Sequence, residues 1–249
     1  MRGTWTIYRR ELAGLFLGPL AWVLLGLALC VNGFFFTLYL VGTQGDVNAT
    51  MMLAQGGSRS FWGLLILMPP LITMRLISEE SRTGTLEFLL TAPVSDLAVV
   101  LGKLMAATSL LALLWSSILV YAGTLSVLGP APDWGPVLTS LLGAALLSAL
   151  FCAIGLMASA GTGTPLLAAF LAFVANVALL SLPFLPGLLG LGPEHLLTRA
   201  LAEMDVIAHF QASFLVGVLD SRHLLFFLVW TAFFALVATR LLEARRWRG

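Results

Sequence analysis

Residues 78–103 read SEESRTGTLEFLLTAPVSDLAVVLGK and hold six of the chain's twenty-five charged residues. Outside this stretch the sequence is strongly apolar. Six hydrophobic runs can be marked, at about 15–41, 58–77, 102–128, 136–160, 163–190 and 223–241. A helix needs about 20 apolar residues to cross a bilayer, so each run is a candidate span and the polar stretch joins the second to the third. The expected fold class is therefore an all-α integral membrane protein with six transmembrane helices. Composition agrees, with 59% hydrophobic and 10% charged residues, whereas soluble domains carry roughly 25% charged residues. The mean hydropathy is +1.00.

Six crossings put both termini on one side, and the distribution of cations indicates which. With the N-terminus in the cytoplasm, ten of the thirteen Lys and Arg residues fall on inside segments, and only Arg59, Arg199 and Arg222 lie outside. The expected arrangement is a multi-pass protein of the bacterial inner membrane with cytoplasmic termini. The first apolar run is too long for a signal-peptide core, so the N-terminus is expected to stay attached. In TWTIYRRELAGLF, Trp5, Tyr8, Leu12 and Leu15 recur at three- and four-residue steps beside Arg9, Arg10 and Glu11. This suits either a short surface helix before the first span or a basic juxtamembrane anchor. EARRWRG fixes the last helix at headgroup level.

Several functions are excluded by residue type. A net charge of +1 gives no electrostatic basis for nucleic-acid binding. Cys30 and Cys152 lie singly in apolar runs, without metal-ligand or redox spacing. His195, His209 and His223 share one outer loop and read as polar loop residues rather than a metal site. The interiors of the spans read as free of ionisable side chains, which argues against a proton-coupled carrier. A phosphate-binding loop needs GxxxxGK[ST], yet Lys103, the sole lysine, is followed by Leu104, and Leu97 stands where the first glycine is required. The chain is expected to bind no cofactor and to be no enzyme.

The connector, 78–101, is too long for a hairpin. It follows Pro69 and Pro70, which should kink or break the second span. Gly84 with Glu87 three residues later fits a helix start, a short helix over TLEFLL follows, and Ala92-Pro93 ends it. Ser95-Asp96 then offers an N-cap for the third span. Leu86, Phe88, Leu89 and Leu90 give this short helix more apolar surface than water tolerates, so either the membrane surface or a partner protein must cover it. Between the fifth and sixth spans, residues 191–222 show helical periodicity interrupted around His209 to Ser213, and this segment should rest on or dip into the outer leaflet.

TMRLISEESRTGTLEFLLTAPVSDLAVVLGKLMAA, at 73–107, closely resembles the cytoplasmic connector of ABC-2-type permeases, the membrane subunits of ATP-binding-cassette transporters. It is most similar to the subgroup associated with gliding motility and nitrous-oxide-reductase maturation. RRELAGLFLGPLAWVLLGLALCVNGFFF near the start, and AHFQASFLVGVLDSRHLLFFLVW with LLEARRWR near the end, resemble the same permeases. The resemblance implies that Gly84, Thr85, Leu86, Glu87, Phe88, Leu89 and Leu90 form a coupling helix that docks on a separate ATPase subunit. It implies short re-entrant helices on the outer side after span five, and a polar cytoplasmic mouth made by Glu79, Glu80 and Arg82. The ATP and magnesium would sit on the ATPase partner, and a second permease subunit, identical or related, would complete the complex. Pro69, Pro70, Asn176 and Pro183 supply bends and a polar point for a pathway lining. The rival class is an ATPase-independent membrane protein, either a small secondary carrier or a scaffold of a surface complex.

Overall fold

The computed structural model describes residues 2–85, 94–192 and 194–246. Helix α1 (Arg2–Leu17) meets α2 (Pro19–Gly42) at Gly18, whose extended backbone turns the chain. Pro19 occupies the first turn of α2, where its missing N–H costs nothing. Then come α3 (Val47–Met52), a π-helical turn (Leu53–Gly57), α4 (Arg59–Thr73), α5 (Ser78–Arg82), α6 (Asp96–Trp115), α7 (Ser117–Leu128) and α8 (Trp134–Gly161). Helix α9 (Pro165–Ser181) leads through a 3-10 turn (Leu182–Phe184) to α10 (Leu185–Leu188), α11 (Leu196–Ala202) and α12 (Val206–Ser213). A second 3-10 turn (Phe214–Val216) precedes α13 (Ser221–Arg246).

Six helical stretches are long and apolar enough to cross a membrane: Pro19–Gly42, Val47–Arg82, Asp96–Leu128, Trp134–Gly161, Pro165–Leu188 and Ser221–Arg245. No strand occurs among the described residues. Helix α8 is the hub, packing against α4, α6, α9 and α13. Small side chains make this possible, because lipid drives no hydrophobic association between helices and close backbone approach must supply the packing. A Cβ on Gly155 would stand 2.0 Å from Thr73 Oγ1, and one on Gly143 would stand 2.6 Å from Phe214 Cγ. Ser148 Oγ also accepts from Trp115 Nε1 at 2.9 Å, joining α8 to α6.

Pro69 and Pro70 are both buried inside α4, which does not break there. Proline removes only its own N–H, so the carbonyls of Leu65 and Ile66 lose donors while the carbonyls of the prolines remain usable. Pro70 O accepts from Met74 N at 3.0 Å, and Pro69 O accepts from Thr73 Oγ1 at 2.7 Å. The ladder therefore resumes, and the expected break falls later, in the turn at 74–77.

Residues 43–57, which the apolar runs leave as an outer loop, are largely helical and inserted. Thr50, Met51, Ala54 and Gln55 are buried. Gly56, at φ +134°, lets the ring of Phe210 approach so closely that a Cβ would lie 2.4 Å from its Cε1. Part of the segment 191–222 packs into the bundle, and its interruption lies at 203–205 rather than at 209–213. Asp205 caps α12 by accepting from Ala208 N at 2.9 Å, and the helix runs through His209 to Ser213 because Phe210 and Phe214 are core residues with no exposed surface. They join Phe61, Trp62, Trp115 and Phe227 in an aromatic cluster.

Candidate functional site

Glu80 of the connector and Lys103 of α6 converge with the N-terminal helix at one end of the bundle. Helix α1 packs along α6, where Gly102 leaves room for Ile7: a Cβ there would lie 2.8 Å from Ile7 Cγ2. Tyr8 and Ser109 are hydrogen-bonded across the same contact at 3.2 Å. Glu11 lies one turn beyond Ile7 and so shares its protein-facing stripe. It turns away from the exposed side of α1 that carries Arg9 and Arg10.

Glu11 points at Lys103, whose side chain is 0% exposed about two turns into α6. Lys103 Nζ lies 3.1 Å from Glu11 Oε1 and 2.9 Å from Glu80 Oε1 on α5. Arg10 Nη2 closes the network at 2.5 Å from Glu11 Oε1 and 3.4 Å from Glu80 Oε1. Two cations and two carboxylates thus neutralise one another. An ammonium withdrawn from water is tolerable only when paired and hydrogen-bonded. The hydrogen bond to Glu11 also raises the pKa of Arg10 above its usual value, with burial opposing it, so the guanidinium stays charged.

Lys103 corrects one reading of the sequence. An ionisable group does lie inside a spanning helix, near its N-terminal end, and it is satisfied there by acids from two other elements.

Helix α5 is held from further sides. Ser159, near the end of α8, accepts from the backbone N–H groups of Ile77 at 3.2 Å and Ser78 at 3.0 Å, and its hydroxyl donates to Met74 O at 3.3 Å. This satisfies the donors exposed where α4 gives way to α5. Arg245 of α13 donates to Ser81 Oγ at 2.7 Å. A five-residue helix is thereby bonded to α1, α6, α8 and α13.

The expected polar mouth divides into distinct parts. Glu80 is partly buried and joins the network, Glu79 pairs with Arg75 at 3.5 Å on the surface, and Arg82 is exposed. Gly84, at φ +75°, closes the turn after α5, and Thr85 stands in the next helical turn. Leu86, Glu87, Phe88, Leu89 and Leu90 of the expected coupling helix lie outside the described residues. A cavity of about 460 Å³ opens beside the network. Its rim is Arg10, Glu11, Arg75, Glu79 and Glu80, and its walls are Leu15, Leu20, Leu24 and Ile72.

The expected pathway residues are scattered. Pro69 and Pro70 sit in the half of α4 nearest the connector, whereas Pro183 lies in the 3-10 turn beyond the far end of α9. Asn176 is fully buried in α9, with neither amide atom hydrogen-bonded. Sequence reasoning missed Lys103, Glu11 and Ser159. The available signal was a sole lysine at the mouth of an apolar run, directly after a glycine.

Among the described residues no group of three or more potential metal ligands exists. The arrangement offers mechanical connection and a cavity with a polar rim.

An all-helical bundle with six spans and a polar node on one junction defines a multi-pass membrane protein. The model for the family described as ABC-2 family transporter protein matches residues 18–182, more than half of the chain, and the chain belongs to that family of membrane permease subunits of ABC transporters. The match includes Glu80 and Lys103 but begins beyond Glu11. No curated protein matches the sequence.

Proposed function

We propose that this permease couples ATP hydrolysis on separate ATP-binding-cassette subunits to substrate export or to an envelope machine, and that residues 84–90 are where those subunits dock. The observation that supports this most is the burial of Lys103 between Glu80 of α5 and Glu11 of α1. A force applied just beyond Gly84 reaches α5, and α5 is bonded to four other helices. When two ATPases close on ATP and draw on the connectors, α4 and α6 are tilted together with α1 and α13 rather than separately. The permease supplies conformational bias, and ATP and magnesium stay on the partner. Two such subunits, identical or related, enclose the path.

The ten-to-three division of cations supports the reading that the node and both termini face the cytoplasm and that the chain lies in a bacterial inner membrane. Within the family, the connector sequence favours the subgroup linked to gliding motility and nitrous-oxide-reductase maturation.

A neighbouring reading frame that encodes a cytosolic phosphate-binding-loop protein would favour this reading, and the test is copurification of the full chain with that protein. Replacing Leu86 and Phe88 together by Glu should abolish the complex while leaving the permease folded in the membrane. Unchanged assembly and ATP turnover in that variant would remove the docking proposal.

A further inference from the structure

Two histidines that the coupling mechanism does not use meet on the far side of the bundle from the node. His209 of α12 and His223 in the first turn of α13 approach with Nδ1 to Nδ1 at 2.6 Å. His209 is stacked on Phe226, with ring centroids 4.0 Å apart. Its other nitrogen, Nε2, lies 3.1 Å from the carbonyl oxygen of Glu203. A carbonyl only accepts, so Nε2 of His209 carries a hydrogen, and in neutral His209 the Nδ1 lone pair is bare. The hydrogen between the rings then belongs to Nδ1 of His223, which donates to His209.

This arrangement tolerates one added proton but not two. A proton added at Nε2 of His223 leaves the donor in place and strengthens the bond by charge. A second, at Nδ1 of His209, sets two N–H groups and two positive charges against each other at a distance that only a hydrogen bond permits. The contact must then open.

We propose that the His209–His223 pair is a proton-operated latch that holds the outer helices in the bundle and releases them in acid. What it holds is the segment that carries Phe210 and Phe214 into the aromatic cluster. The latch fastens α12 to α13 across a turn pinned by Ser213, which donates to Val218 O and accepts from Asp220 N.

The surrounding charges are few. Glu203 and Asp205 precede α12, and Asp205 caps it. Asp220 accepts from the backbone N–H of Arg222 at the start of α13, and Arg222 is the one cation beside His223. The π-helical turn, the 3-10 turn at 214–216 and α9, all packed against α12, contain no ionisable residue. Imidazole is the side chain whose charge normally changes between pH 5 and 8, the range over which the contact is tested.

The experiment is hydrogen exchange on the full chain in nanodiscs at pH 8 and pH 5, corrected for intrinsic exchange rates and read on peptides covering 206–216. Loss of one charge-assisted hydrogen bond should lower protection there by about tenfold in acid, while peptides from α8 stay unchanged. His223→Asp supplies a carboxylate that accepts from doubly protonated His209, so this variant should keep its protection at pH 5. His223→Phe should show the tenfold lower protection at both pH values. Equal protection of the natural protein at the two pH values, or equal loosening of His223→Asp in acid, would overturn the latch. The readout needs no ATPase, so its outcome is independent of the coupling mechanism.

Discussion

Replacing Lys103 by Met keeps the length and apolar stem of the side chain and removes its charge. The variant leaves Glu11 and Glu80 beside each other with Arg10 as their remaining partner. Removing one member of a fully buried pair costs about 3–5 kcal/mol. Here the lysine is wholly buried, but the side chains of Glu11 and Glu80 are 13% and 22% exposed, so water and Arg10 recover part of the loss. A cost of about 2–3 kcal/mol is expected, corresponding to a fall in Tm of roughly 5–10 °C for a chain of this size. Neutralising the stranded acids as well, in Glu11→Gln with Glu80→Gln and Lys103→Met, should restore most of that stability, because the penalty comes from uncompensated charge rather than lost packing. The assay is thermal unfolding of the purified full chain in detergent, followed by tryptophan fluorescence. If Lys103→Met alone unfolds within about 1 °C of the natural protein, or if the triple variant is the least stable of the set, the account of the node is wrong.

Three further outcomes follow from the packing. Gly155→Ala should destabilise the bundle by about 1–3 kcal/mol, since the new methyl meets Thr73, whose hydroxyl is committed to Pro69 O; adding Thr73→Ala should recover part of this in the same unfolding assay. Asn176→Leu should be neutral or raise stability by about 1 kcal/mol, because it removes two buried polar atoms without partners; a large loss of stability would show that the amide is bonded in the membrane. Ser159→Ala strands the N–H groups of Ile77 and Ser78, and faster exchange of those two amides is expected, at a cost of about 1–2 kcal/mol.

The apolar runs made the six spans legible because a bilayer imposes one length on all of them. Ser95 at the head of α6 was equally readable, since it caps by accepting from Ala98 N at 3.3 Å. What the linear pattern hid was burial that depends on distant elements. Residues 47–57 look like a loop because VNATMMLAQGG mixes polar and small residues, and they insert because Phe210 arrives from 150 residues later to fill the space over Gly56. Lys103 read only as one of the inside cations and as the lysine of a failed phosphate-loop pattern, and nothing near it in sequence shows that Glu11 and Glu80 bracket it. Glu11 itself was grouped with Arg9 and Arg10, although helical spacing puts it on the stripe of Ile7. The prolines of α4 misled for a different reason: proline removes a donor, not an acceptor, and a buried helix continues when the following residues still find carbonyls.

The most direct measurement introduces Leu86→Cys in a full chain whose Cys30 and Cys152 are replaced by Ala, in the assembled complex with the proposed ATPase partner, and applies a short thiol cross-linker in membranes. Cross-linking to the ATPase, with a yield that changes when ATP is bound, is the predicted result. An intact, ATP-hydrolysing complex in which that position reaches only lipid or solvent would contradict the account.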